Sequence, residues 1–214
     1  MKKIITILSA FVFGAMVFAE GSEKNYDSFI GAGVSGIFSN YKVDDDGSRK
    51  NLGGGFDLSL FTVNKENGFS LKADFGAGFV TTKDFPNMGR EKGLYTVLNG
   101  GAGYSFLHTE DTIFSVFGMC SIGRTFFTDD SNVSSYSDMS FKQLTYGVGA
   151  DVTFMKRVEN RLYLFANVGA RFEMGTESVT YSNEKNNVTS YSGVTRDILG
   201  NFSVTPTIGL TWKL

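Results

Sequence analysis

Residues 198–214 read ILGNFSVTPTIGLTWKL. Taken every second residue, Ile198, Phe202, Val204, Pro206, Ile208, Leu210, Trp212 and Leu214 make one face, interrupted only by Gly200. The alternate positions are Asn201, Ser203, Thr205, Thr207, Gly209, Thr211 and Lys213, with Leu199 as the apolar exception. A strict period of two predicts a β-strand with one apolar and one polar face. The pattern continues far beyond the roughly 5 or 6 residues of an ordinary strand. A tilted strand crossing a bilayer needs roughly 9 to 11 residues, plus whatever projects beyond the lipid. The stretch is long enough to cross.

The same period recurs upstream. Residues 27–38 place Ile30, Ala32, Val34 and Phe38 on one face, and residues 51–63 align Leu52, Phe56, Leu58 and Leu60. Residues 69–79 alternate Phe69, Leu71, Ala73, Phe75, Ala77 and Phe79 with small or charged residues. Residues 94–106 carry Leu94, Leu98, Ala102, Tyr104 and Phe106. Residues 113–126 are less clean, because Phe117 and Met119 oppose Phe114, Val116, Cys120, Ile122 and Phe126. Residues 141–154 and 162–174 alternate without interruption. Eight strands follow. Between them, short gaps (64–68, 108–112, 156–161) alternate with long ones (39–50, 82–93, 128–140, 175–197). Short turns at one end and long loops at the other are the layout of a transmembrane barrel.

Composition narrows the alternatives. The chain of 214 residues has 26 Gly and 21 Phe but two Pro, which favours β-structure over helix. No apolar run reaches the roughly 18 residues of a spanning helix. Residues 1–19 read as a secretory signal, with Lys2 and Lys3, an apolar stretch from Ile4 to Phe18, and small Ala19 before the expected cleavage. Residues 20–214 are then a single barrel domain with nothing following it. The formal charge of −2 becomes −4 once Lys2 and Lys3 are removed, so no basic footprint for nucleic acid exists. Lone Cys120 excludes an intrachain disulfide.

A soluble barrel also has one apolar face per strand, but its polar face meets bulk water. Here the polar faces are Gly, Ser, Thr and Asn, with only Asp57, Lys72, Asp74, Asp151, Arg171, Glu173 and terminal Lys213 charged. That composition suits an enclosed lumen. Arg124 is the exception on the apolar faces, near the long-loop end, where it can snorkel. Aromatics gather at the strand ends: Phe69, Tyr104, Phe106, Phe114, Phe154 and Trp212 at the short-turn side, and Phe38, Phe79, Phe126, Tyr146 and Phe172 at the other. Two girdles are expected where lipid meets water.

With Leu210, Trp212 and Leu214 closing an alternating final strand, the chain resembles the small eight-stranded bacterial outer-membrane barrels of the OmpX, OmpW and OmpA-barrel type. The family usually ends in Phe, so Leu214 departs from its pattern. The resemblance implies an all-β, antiparallel up-and-down transmembrane barrel in the outer membrane, with both termini periplasmic. It also implies outer-membrane lipids as neighbours, and barrel-assembly machinery and periplasmic chaperones that handle the nascent chain. The peptidoglycan-binding domain of full-length OmpA relatives is not expected.

Motifs for chemistry are weak. Gly31, Gly33 and Gly36 fit G-x-G-x-x-G, but inside a strand rather than before a helix, so they read as lumen glycines. Asp44, Asp45 and Asp46 lack the spaced ligands of a calcium loop. Some eight-stranded barrels modify lipid A with a His, a Ser and an acidic partner. The only histidine, His108, falls in a short turn and reads as solvent-facing. No enzyme, metal or cofactor is expected.

The lumen charges are the candidate site. Asp57 and Asp74 fall near each other across a hairpin, and Lys72 shares a wall with Asp74. Arg171 and Glu173 lie nearer the long-loop end, and Asp151 lies lower. They are expected to brace and plug the interior, since a buried carboxylate needs a cation. Eight strands leave a lumen that side chains fill. The expected role is a scaffold displaying four extracellular loops, adhesin-like, with an extracellular or host ligand as partner. The longest loop, 175–197, carries Tyr181 and Tyr191 among Ser, Thr and Asn. A narrow channel for small solutes or apolar compounds and a lipid-A-modifying enzyme are the alternatives.

Overall fold

The computed structural model describes residues 25–44, 47–83, 91–129, 138–185 and 188–214. The expected signal peptide and the tips at 45–46, 84–90, 130–137 and 186–187 lie outside the described residues. Eight antiparallel strands run β1 Tyr26–Val43, β2 Gly47–Asn64, β3 Phe69–Lys83, β4 Glu91–His108, β5 Thr112–Asp129, β6 Asp138–Glu159, β7 Leu162–Lys185 and β8 Val188–Lys213. Each pairs with the next, and β8 closes on β1. Closure leaves no sheet edge, as a barrel crossing lipid requires.

Strand parity sorts the side chains as expected over most of the wall. Val34, Phe56, Phe79, Phe106, Tyr146, Val148, Val168 and Phe172 stand exposed on the outside, and all six predicted lumen charges are buried inside. A β-bulge breaks the parity of β8. Asn201 pairs with Glu173 and Ile198 with Gly175, so β8 carries one extra residue, and the register on β1 shifts at the same place. Ile198 therefore turns into the lumen beside Tyr41 and Val43, and Leu199 points out. This corrects the face assigned to Ile198 and accounts for Leu199 as an apparent exception. Bulges commonly re-aim side chains in this way.

Two of the predicted long loops, 39–50 and 175–197, are largely strand among the described residues. Paired backbone continues from β1 to Val43↔Gly47 and from β7 to Lys185↔Val188, so 39–50 and 175–197 are tall β-hairpins. A ladder that keeps its hydrogen bonds does not stop where the lipid-facing apolar pattern stops.

Nor is the lumen wall purely polar. Phe29, Phe61, Val63, Ile113, Phe117, Met119, Met155, Tyr163 and Phe165 form an apolar layer near the short-turn end. Phe117 and Met119, which made β5 look irregular, belong to it. Phe165 lies across Gly33 and Gly209, where a Cβ would stand 3.1 and 2.7 Å from its ring. A second layer of Val80, Tyr95, Phe127, Phe141 and Val179 packs with Ile37 and Val97 farther up.

Candidate functional site

Between the two apolar layers sits the charged belt. Lys72 on β3 reaches Asp74 on its own strand at 3.0 Å, as its position on the same wall implies. It also crosses the lumen to Asp151 on β6 at 2.7 Å and donates to Asn167 Oδ1 on β7 at 2.9 Å. Arg171 pairs with Asp151 and donates to the Ala150 and Ala170 carbonyls. Four expected members thus interact as one network, Lys72, Asp74, Asp151 and Arg171, with Asp57 at its margin. Asp57 pairs in register with Gly76, diagonal to Asp74, and among the described residues it makes no ion pair. Glu173 takes hydrogen bonds instead of a cation, from Ser121 Oγ at 2.9 Å and Asn201 Nδ2 at 2.7 Å.

A second, fully buried ion pair lies above the belt. Arg49 Nη1 donates to both Glu177 oxygens at 2.7 and 2.8 Å, and Gln143 Nε2 donates to Glu177 at 2.8 Å. Sequence reasoning missed it by assigning both residues to loops. The signal was present: Arg49 and Glu177 continue the odd-numbered lumen faces that carry Asp57 on β2 and Glu173 on β7. A polar cavity of about 70 Å³ lies between these levels, lined by Asn51, Asp57, Tyr95, Asn99, Gln143 and Asn201 among others.

At the short-turn rim, His108 is half-buried at the end of β4, correcting its placement in a solvent-facing turn. Its Nε2 lies 3.1 Å from Asp27 Oδ2, and Asp27 also pairs with Lys213 at 2.8 Å and Lys65 at 3.3 Å. Asp27 lies beyond the level of Trp212, which pairs with Ile30. Burial pulls its carboxyl up, but His108, Lys213 and Lys65 outweigh that and hold it well below the usual carboxylate range.

The predicted interface aromatics Phe69, Tyr104, Phe106, Phe154 and Trp212 are all exposed outward at the short-turn end, and Tyr104 and Phe106 pack edge to face at 5.1 Å. Leu210 and Leu214 share the outward face of β8 with Trp212. Gly31, Gly33 and Gly36 lie within β1, with no helix for a dinucleotide to meet. Asp44 is exposed, and its two acidic neighbours lie outside the described residues. Among the described residues no cluster of His, Cys, Asp or Glu is arranged to hold a metal ion.

A closed ring of eight antiparallel strands with an apolar exterior and ionic interior is the fold of the small outer-membrane β-barrels. Solved structures agree. OprG of Pseudomonas aeruginosa aligns over 90% of this chain and 98% of its own, with 14% identity and a TM-score of 0.54. A major outer membrane protein of Thermus thermophilus aligns over 86% of this chain and 99% of its own, at 13% identity and 0.57. The outer membrane protein AlkL, solved in lipid bilayers, aligns over 89% and 90% at 14% identity and 0.51. No protein-family model matches the sequence, and no match was found among curated proteins.

Proposed function

We propose that this chain is an integral outer-membrane protein whose sealed barrel anchors tall β-hairpins that serve as an adhesin-like contact surface outside the cell. The observation that carries this reading is the filling of the lumen by an apolar layer, an ionic belt and a second apolar layer topped by Arg49 and Glu177. The apolar layer near the short-turn end is the barrier to water in this reading, so the interior serves rigidity and the hairpins serve contact. Both termini then lie in the periplasm, and Leu210, Trp212 and Leu214 face outward as the strand read by assembly machinery. The partner is an extracellular or host ligand met by the hairpin tips.

A narrow conduit for small solutes is the second reading, favoured by the polar cavity between the layers. Planar-bilayer recording of the refolded chain separates the two. The sealed-anchor reading expects no conductance steps above baseline, and stable open channels would replace it with the conduit. Protease treatment of intact cells tests orientation. Cuts should map to the tips of the tall hairpins, and cuts confined to the short turns would invert the assignment.

A further inference from the structure

Within the ionic belt, positive charge is unevenly shared. Lys72 and Arg171 both converge on Asp151, and Lys72 alone serves Asp74. Glu173 takes two hydrogen bonds, and higher up Glu177 has Arg49. Asp57 is buried, yet among the described residues it has neither an ion pair nor a hydrogen bond. Asp57, Asp74, Asp151 and Glu173 therefore share only Lys72 and Arg171 in the belt. The deficit falls on the wall made by β2, β3 and β4.

The strand register gathers that deficit at one height. Asn99 on β4 stands opposite Asp74 on β3, and Asp57 on β2 is diagonal to Asp74 through its partner Gly76. Side chains in those relations have Cβ atoms about 5 Å and roughly 7–8 Å apart. Their oxygens can meet around one small ion. Asp74 is 3% exposed and gives Oδ2 to Lys72. Its Oδ1, like Asn99 Oδ1, is buried with no hydrogen-bond partner. Asp57, Asp74 and Asn99 all line the polar cavity above the belt. Gly76 keeps that space open, since a Cβ there would stand 3.5 Å from Asp57 Oδ2.

A ligand for this cradle must present positive charge to oxygen atoms and fit within about 70 Å³. At roughly 10–15 Å³ for each water, that is room for a small ion and a few waters, and too little for a bulky organic cation. Hard metal cations take carboxylate, amide and water oxygens. Lys72 already offsets one of the two carboxylates, so a single positive charge completes the balance. A divalent ion would exceed it beside the Lys72 ammonium. We propose that Asp57, Asp74 Oδ1 and Asn99 Oδ1 bind an alkali-metal cation, Na⁺ or K⁺, with water completing its shell. The ion supplies the charge that Lys72 and Arg171 withdraw from this wall by reaching to Asp151. An unpaired carboxylate in an enclosed lumen is costly, which is the source of the affinity. The site depends on the closed barrel and is independent of what the hairpins contact.

The test is urea unfolding of the refolded full chain in zwitterionic vesicles at constant chloride, with sodium or potassium exchanged for choline, which is too large for the cavity. An ion bound by the folded state alone stabilises it by mass action. Above saturation, each tenfold rise in sodium or potassium should lower the unfolded-to-folded ratio of wild type about tenfold. Asp57→Asn should remove this dependence, and Asn99→Ala should move it to higher salt. Lys156→Gln, on the exposed rim, should keep it. Wild type that unfolds alike in sodium, potassium and choline would overturn the site, leaving water or a neutral Asp57 carboxyl in the ion's place. An unchanged dependence in Asp57→Asn would overturn it as well, and equal stabilisation by magnesium at matched concentration would overturn the monovalent assignment. Heat-modifiable migration on gels confirms that each variant is folded, and Asn99→Ala carries the comparison if Asp57→Asn does not fold.

Discussion

Lys72→Met should lower the stability of the barrel in lipid vesicles by about 3–5 kcal/mol, the usual cost of stranding a buried charge. The Lys72 ammonium bridges Asp74, Asp151 and Asn167, which come from three different strands. Without it, Asp57 and Asp74 share a wall with no cation on it, and Asp151 keeps only Arg171. The measurement is urea unfolding followed by the loss of heat-modifiable migration. Adding Asp74→Asn to Lys72→Met removes one stranded carboxylate and should restore part of the loss. Stability equal to wild type for Lys72→Met would mean that the belt does not brace the barrel.

Glu177→Leu should cost a similar amount, about 3–5 kcal/mol. Glu177 is fully enclosed and accepts both hydrogen bonds from Arg49 Nη1 and one from Gln143 Nε2, so solvent cannot replace what the substitution removes. An exposed ion pair would be worth about 1 kcal/mol or less. Lys156→Gln, at an exposed position, is the matching control and should leave the midpoint within experimental scatter. If Glu177→Leu behaved like that control, the upper pair would be dispensable and the lumen would not be sealed by it.

The wall of this molecule was legible in the sequence because a period of two survives any tilt or shear. Outward Phe79, Tyr146 and Trp212, and inward Asp57, Lys72 and Arg171, follow from parity alone. Four things did not. The bulge at Leu199 and Gly200 left only a misplaced leucine as its trace, and a single exception does not distinguish a bulge from noise. The height of the hairpins was hidden because the apolar face ends at the lipid while the backbone ladder continues to Lys185↔Val188. The partners across the lumen were hidden because they depend on barrel closure. Lys72 and Asp74 could be paired within one strand, but Asp151 and Asn167 reach Lys72 only once eight strands fix a common height. The apolar layers were the costliest omission. Phe29, Phe117 and Phe165 sit on faces that otherwise read as small and polar.

The central claim is that the apolar face meets lipid while the ionic groups are enclosed. The chain's single cysteine tests it without any mutation. Cys120 points outward in the middle of β5, between Gly100 and Val148 on the adjacent strands, and is exposed there. In the folded protein embedded in vesicles, a membrane-impermeant, water-soluble maleimide should leave Cys120 unmodified and should label it fully after unfolding in urea. Labelling of the folded, vesicle-bound chain at the rate of a free thiol in water would show that this face meets solvent, and the account would be wrong at its foundation.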